Sequence, residues 1–441
     1  MSNIIDFFKQ LYYFYSIGKL NIYPFLYGGK MFIEVSDNLK KLSKFFPENL
    51  YIVGGYVRNK ILKIEDSDVD LASSVDIEEV SKRLNGSDFS VKIKNLKFGS
   101  ILISCKDESY EYTAFRKEIY PDDGSHCPSQ VMSTDKLEED AIRRDFTFNS
   151  IYYNINKDEI VDIYHGIFDL SDRVIKCNIN PDEVLTNDGE RILRMVRFAG
   201  ELNFKIDKNT LKSAIKYASN VKDIQGCRKL VELEKILYCD KRYYIYQKGG
   251  LKRALELLNL LGIWQYFGLK SKKIKYKMVY KVDDRLLGLL IDIVNTEKPE
   301  CLETFLDEFL KTQLGINQAN AKKILIYLSG YYDALDGMKN KDYFFKYYQD
   351  WACIYMLLGK RSKRIQNRYH FFYQYIIEHG LVIAVSDLAI NANDIKDNFP
   401  NIDKRQYDRI LENLLSKVFD GKVKNDKDSL LEEIRKNLQN Y

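Results

Sequence analysis

The sequence predicts an α+β head followed by an all-helical remainder. Three observations carry that prediction. From about Met31 to Tyr164, short apolar or alternating runs (Leu50–Val53, Phe89–Ile93, Ser100–Cys105, Tyr110–Arg116) are punctuated by helix starts, as expected of strands and helices packed together. Beyond Pro181, apolar residues recur at helical spacing in segment after segment, as in Arg191–Leu202, Leu251–Phe267, Arg285–Val294 and Leu302–Leu314. No strong strand signal returns in that half, and no repeat of fixed period marks a solenoid.

Each element of the head has a local reason. Leu50–Val53 is an apolar run that ends in Gly54 and Gly55, and Tyr56–Lys63 then starts a helix. Asp66–Ser74 reads as a strand. Asp76 caps Ile77–Leu84, whose first turn carries Glu78 and Glu79. Two β runs follow, and Tyr110–Arg116 alternates like a third strand. Residues from Arg116 to Asp135, with Pro121, Gly124 and Pro128, read as a loop too long for an ordinary connection. Met31 opens an expected amphipathic helix with Phe32, Val35, Leu39 and Leu42 on one face.

Bulk composition bounds the function classes. A chain of 441 residues is long enough for two to four domains. Its 68 basic and 63 acidic residues leave a net charge of only +5, so any nucleic-acid surface has to come from local clustering. The seven cysteines are scattered and include no C-x-x-C pair, which argues against a disulfide framework or zinc site and for a reducing, cytoplasmic setting. His126, His165, His370 and His379 have no ligand spacing either. No run of 18 apolar residues is present, so no membrane span is expected. Residues 1–30 are aromatic and apolar without the charged start and small-residue cleavage site of a signal peptide, and read as an N-terminal extension of unknown role.

Three constellations carry chemistry. In the first, two glycines at the end of an apolar strand let a phosphate approach the backbone, and Arg58 supplies charge and a fork of donors. Asp68 and Asp70, two apart on a strand, point to one face and would repel unless a cation lay between them. Magnesium takes one or two carboxylates plus phosphate oxygens, and in-line displacement at phosphorus is the chemistry that uses such a site. Alone, D-x-D is more often a solvated strand edge; the glycines and Arg58 upstream reverse that balance. Glu111 is either a third carboxylate, if its strand pairs beside the Asp strand, or an ordinary exposed glutamate.

The second constellation is Arg143-Arg144-Asp145, where a charged helix end meets an apolar run and Arg143 or Asp145 is expected to fill a structural ion pair. In the third, Asp188, Arg191, Arg194 and Arg197 recur every three residues and are expected to form a stripe drifting round one helix. That stripe is either a solvated face or, given its arginine excess, a surface for phosphates and base edges.

Residues 51–74, 110–120, 141–154, 160–176 and 187–202 resemble, in order and spacing, the motifs of the class II tRNA nucleotidyltransferases. These CCA-adding enzymes are related to bacterial poly(A) polymerases and to the polymerase-beta-like superfamily. The resemblance spans roughly Leu50 to Phe204, with weaker echoes at 385–395 and 411–436 of the tail of the bacterial form. It implies a polymerase-beta-like nucleotidyltransferase head (31–165), a helical neck with the nucleotide-selecting motif (166–230), a helical body (231–345) and a tRNA-binding tail (346–441), arranged like a seahorse.

The implied activity is template-independent addition of C, C and A to the 3′ end of tRNA from CTP and ATP. The alternatives are a CC-adding, A-adding or poly(A)-adding enzyme, or a non-catalytic RNA-binding protein that kept the fold; retention of Asp68 and Asp70 argues against the last. Carried over by position, Asp68 and Asp70 would hold Mg²⁺ with Glu111 completing the catalytic set. Gly54, Gly55 and Arg58 would meet the triphosphate, and Arg144 the nucleotide. Asp188 and Arg191 would pair with the incoming base, with Arg194 and Arg197 continuing that surface. The loop after Arg116 would help the switch from C to A. tRNA is the implied partner, and basic stretches at Lys270–Lys277 and Gly359–His370 suit it; no protein partner is implied. The sequence departs from the family at Asn59, where an aspartate is usual, and at Asn187 and Gly189 in the neck motif.

Overall fold

The structure, a computed structural model, describes residues 26–27, 30–31, 33–65, 68–96, 98–120, 128–243, 249–338, 341–378 and 382–437. Most of the N-terminal extension, and Pro121, Asp123, Gly124, His126 and His379, lie outside them. The chain forms two compact units: residues up to 274 with 313–315, and 275–312 with 316 onward.

In the first unit Met31, expected to open a helix, instead ends a two-residue strand and pairs with Leu26, and helix α1 (Asp37–Ser43) starts only after its N-cap Ser36, which accepts from the Leu39 amide. The head sheet follows as β1 (Tyr51–Val53), helix α2 (Gly55–Ile61), β2 (Asp70–Ser73), helix α3 (Ile77–Leu84), β3 (Ser90–Asn95), β4 (Ser100–Cys105) and β5 (Glu108–Ala114). Next come the paired strands β6 (Arg116–Ile119) and β7 (Gln130–Ser133), helix α4 (Leu137–Ile142), and the strands β8 (Ile151–Asn154) and β9 (Glu159–Asp162). The seven strands of the main sheet are ordered β9-β8-β1-β2-β5-β4-β3. Every pair is antiparallel except β2 with β5, which run parallel.

Register explains which face becomes the site. Ile52, Leu71, Tyr112 and Ile101 are successive partners across four strands, and all are buried. Side chains in such a row share a face, and here that face carries a core with Phe46 and Tyr112 at 5.6 Å between ring centroids. One residue along, the row Val53, Asp70, Glu111 and Leu102 faces the opposite side. A small cluster of Val53, Ala72, Phe115, Ala141 and Tyr152 anchors that second face.

Within the span from Arg116 to Asp135, read as a loop, the described residues instead form two antiparallel strands, with Arg116 opposite Ser133 and Ile119 opposite Gln130. Alternation over four residues per strand was too short to separate from loop sequence.

After the head come helices α5 (Gly166–Asp172), α6 (Pro181–Asn187), α7 (Glu190–Glu201), α8 (Lys208–Lys216), α9 (Gly226–Leu237), α10 (Cys239–Arg242) and α11 (Gly250–Leu260). The helical prediction for this stretch holds apart from a two-residue parallel pairing of Val174–Ile175 with Lys205–Ile206. Helix α7 is enclosed nearly all round: Ile192, Leu193, Met195, Val196 and Phe198 are buried, at roughly 1.5–3 kcal/mol for each large side chain. The elements of the second unit, among its described residues, are all helices joined by turns. Its last part packs helices Ala392–Asn398, Tyr407–Phe419 and Lys427–Lys436 round a core that includes Ile395, Ile410, Leu414, Leu430 and Ile434.

Candidate active site

The second face of the head sheet forms the floor of a pocket of about 1170 Å³, lined also by residues of α7, α9 and α10. On that floor Asp70 lies directly opposite Glu111 in the parallel β2–β5 pair. This is the strand neighbourhood on which the third-carboxylate reading of Glu111 depended. Strand β2 begins at Asp70, so Asp68 sits just before it and not within it. Both aspartates line the pocket and are exposed to it.

Asp70 is open to pocket water yet ringed by protein mass. Burial pushes its carboxyl up to about 6, and repulsion from Glu111 adds to the rise. Such a carboxyl favours a nearby cation. Among the described residues, no three His, Cys, Asp or Glu side chains converge as a ready metal cage. Two carboxylates with phosphate oxygens suffice for Mg²⁺, so the donor set of Asp68, Asp70 and Glu111 fits a hard divalent cation without a preformed cage.

Gly54 and Gly55 join β1 to α2. Gly54 has φ +78°, a conformation that glycine adopts without strain. A Cβ there would stand 3.8 Å from Arg144 Nη1 and 4.0 Å from Asp70 Oδ2, so the glycine lies between the arginine and the carboxylate. Arg58 is buried beneath. Its Nε donates to Asn59 Oδ1 at 2.9 Å, Nη1 to Asn149 Oδ1 at 2.8 Å and Nη2 to the Tyr243 hydroxyl at 3.2 Å. Its guanidinium also lies over the Phe198 ring at 5.1 Å. Among the described residues it forms no ion pair, and burial lowers its pKa. Asn59, where the family has an aspartate, still accepts from Arg58.

Arg144 is held by a residue the sequence reading did not single out. Asp140, buried on α4, takes Arg144 Nη2 at 2.9 Å through Oδ2 and Arg143 Nη2 at 2.6 Å through Oδ1. The Tyr152 hydroxyl donates to Asp140 Oδ2 at 2.6 Å and accepts from Arg144 Nε at 2.9 Å. Burial opposes the Asp140 charge, but Arg144 and Arg143 outweigh it and hold the carboxyl well below its usual range. Nη1 of Arg144, the nitrogen beside Gly54, makes no hydrogen bond among the described residues. Asp140 precedes the two arginines by three and four positions, the spacing at which helical side chains meet, so its role was open to a sequence reading.

The neck motif differs from the expected continuous stripe. Helix α6 ends at Asn187, Asp188 is extended (φ −149°, ψ 105°), and α7 begins at Glu190. Asp188 therefore stands at a helix break, where its Oδ1 accepts from the Glu190 amide at 2.9 Å and its Oδ2 lies 3.8 Å from Arg191 Nε. Gly189 is needed there for close packing and is not a helix flaw: a Cβ would come 2.6 Å from the carbonyl oxygen of Asn220. Arg191 is anchored by Nη1 to the Val184 carbonyl (3.1 Å) and by Nη2 to the Arg143 carbonyl (2.5 Å).

Arg194, Arg197, Asp188 and Arg191 all line the pocket, as do Gly54, Gly55, Arg58 and Arg144. The two later arginines are committed within the protein. Arg194 pairs with Asp145 at 2.7 Å, which is the structural pair expected of the R-R-D motif. Arg197 lines the pocket while its guanidinium is buried between Glu201 (3.1 Å) and Glu232 (2.8 Å).

The pocket is thus floored by opposed carboxylates on a mixed sheet, walled by arginines and followed by helices. Residues 50–176 match the family model described as the Poly A polymerase head domain, and 203–267 match that of the probable RNA and SrmB-binding site of polymerase A. Each match covers less than half of the chain, and together they span the sheet and the first helices after it.

Over 201 residues the chain is 37% identical to the CCA-adding enzyme of Streptococcus agalactiae serotype V, covering 45% of this chain and 48% of that one. Over 235 residues it is 33% identical to that of Streptococcus gordonii, covering 53% and 55%. The matched region thus spans about half the length of these curated relatives. In fold, the chain is similar to the Bacillus stearothermophilus CCA-adding enzyme in complex with CTP (TM-score 0.54, 20% identity, 91% of this chain and 98% of that one). It is likewise similar to the Thermotoga maritima CCA-adding enzyme complexed with tRNA (TM-score 0.54, 18% identity, 92% and 96%). No helix among the described residues is long and apolar enough to cross a membrane.

Proposed function

We propose that the chain adds C, C and A in turn to the 3′ end of tRNA, from CTP and ATP, with release of pyrophosphate. The observation that carries the reading is the opposition of Asp70 and Glu111 on the floor of a pocket walled by Arg58, Arg144 and the Asp188–Arg191 pair. Related chains that bear the name CCA-adding enzyme support it.

In this reading the RNA 3′-hydroxyl attacks the α-phosphorus of the nucleotide. A P–O bond to the RNA forms, the bond to the β-phosphate oxygen breaks, pyrophosphate departs with that electron pair and the hydroxyl proton passes to solvent. A divalent cation, Mg²⁺ in this proposal, held by Asp68 and Asp70 with Glu111 alongside, would make the hydroxyl more acidic and neutralise the leaving pyrophosphate. Arg58 brings a buried positive charge with no carboxylate ion-pair partner among the described residues, which a triphosphate would balance. Nη1 of Arg144, without a hydrogen bond among the described residues, would supply a donor beside Gly54, where the backbone leaves room for the nucleotide. Asp188 as acceptor and Arg191 as donor fork would read the base edge, and Arg194 and Arg197 would hold the helix that presents them. Residues 31–165 would then act as the catalytic head, 166–230 as the nucleotide-selecting neck, and the body (231–345) and tail (346–441) as the grip on tRNA, in the cytoplasm where tRNA is matured.

The test is nucleotide addition to tRNA lacking CCA, with CTP alone, ATP alone and both, resolving products by length. Addition of two residues with CTP and three with both is expected. Two residues at most would make it a CC-adding enzyme, a single A an A-adding one, and a long A tract a poly(A) polymerase. No extension with Mg²⁺ and either nucleotide would end the catalytic reading.

A further inference from the structure

Lys94 is a residue that neither the family motifs nor the pocket chemistry above uses. It lies on β3, the edge strand of the sheet. Ile93 pairs with Ile101 and Asn95 with Ser100, so Lys94 has no partner opposite it and is the extra residue of a β-bulge. Bulges re-aim side chains and are common beside active sites. Here the lysine reaches past β4 to β5, where its Nζ lies on Glu111 Oε2. The other oxygen, Glu111 Oε1, accepts from Ser100 Oγ at 3.2 Å. Glu111 is the residue opposite Asp70, so one ammonium group sits against the carboxylate pair of the pocket floor.

We propose that Lys94 is the resident counter-cation of the Asp70–Glu111 pair and competes with the divalent metal for Glu111. This rests on the reading of Asp68, Asp70 and Glu111 as the metal-holding set. Two observations beyond the contact support it. Both partners are about half exposed (55% and 40%), so the ion pair is weak enough to yield to a divalent ion. Lysine, a point charge on a flexible stem, can also swing away without breaking a planar fork of bonds.

The experiment measures Mn²⁺ binding to the full chain without nucleotide, by the electron paramagnetic resonance signal of free Mn²⁺, at one pH and ionic strength. Lys94→Met should bind Mn²⁺ about two- to fivefold tighter than the unmodified chain, the range a partly exposed ion pair allows, and Lys94→Arg should not. The gain should vanish in a Glu111→Gln background, because only a direct contact requires that carboxylate. Unchanged or weaker binding by Lys94→Met, or an equal gain with and without the Glu111 carboxylate, overturns the proposal. If Asp70→Asn also leaves Mn²⁺ affinity untouched, the metal reading itself fails; if Asp70→Asn weakens binding while Lys94→Met does not tighten it, only the role of Lys94 fails.

Discussion

Arg194 on α7 sets both its Nε and its Nη2 2.7 Å from Oδ2 of Asp145, which itself follows Arg143 and Arg144. The remaining oxygen of Asp145 accepts from the Phe146 amide at 2.8 Å and from Asn149 Nδ2 at 3.0 Å. Asn149 in turn accepts from Arg58. One buried carboxylate therefore ties α7 to the segment that positions Arg58.

Removing Arg194 leaves Asp145 buried without its cation. Arg194→Met should cost about 2–3 kcal/mol, between the values for exposed and buried pairs because Arg194 is partly exposed. Burial opposes the Asp145 charge, but Arg194 more than offsets it and brings the carboxyl down to about 2 from a usual 3.8. A depressed folded-state value gives stability that is present above pH 3.8 and lost as pH falls toward 2. Denaturant midpoints followed by circular dichroism should fall across that window in the unmodified chain and flatten in Arg194→Met. Equal slopes in the two would show that Asp145 is not the titrating group.

Asp70→Asn should lower nucleotide addition at least about 100-fold without lowering the melting temperature, because it removes a charge that Glu111 repels. EDTA should abolish addition by the unmodified chain, and Mg²⁺ should restore it. A variant that melts well below the parent would mean that the carboxylate serves the fold.

Asp188→Asn keeps an oxygen able to cap the Glu190 amide but turns part of the acceptor into a donor. The fold should survive while discrimination among CTP, ATP and UTP drops by about 10- to 100-fold, the worth of one bidentate base contact. Competition assays with mixed nucleotides read this directly. Undiminished discrimination would remove Asp188 from the base-reading role.

Gly189→Ala would gain helix propensity on paper, yet its Cβ meets the Asn220 carbonyl at 2.6 Å. The melting temperature should drop by the equivalent of about 1–3 kcal/mol. A rise would mean that the backbone between α6 and α7 shifts at little cost.

The parts of the site legible in sequence follow local periodicity. Alternation along a strand places Glu111 on one face of β5, and the head motifs lie within short stretches whose spacing survives folding. What stayed hidden depends on how separate elements meet. Asp188 looked helical because its spacing to Arg191 is helical; the break is imposed by packing of Gly189 against Asn220. The pairing of Arg197 with Glu232 joins two separate helices, which no local spacing reveals. The bulge at Lys94 is a mismatch of register between two strands, which neither strand encodes alone. Asp140 was the exception, legible by its spacing to both arginines.

Because β2 and β5 run parallel, they cannot be joined by a tight turn, and α3, β3 and β4 fill the crossover between them. Asp70 and Glu111 are therefore strangers along the chain until the meander of β3, β4 and β5 has closed and docked against β2. Pairings of such high sequence separation form late, since loop closure must come first. A chain emerging from the ribosome thus shows its aspartates long before it can present the completed floor of the pocket, and a finished floor becomes a report that the whole sheet has folded.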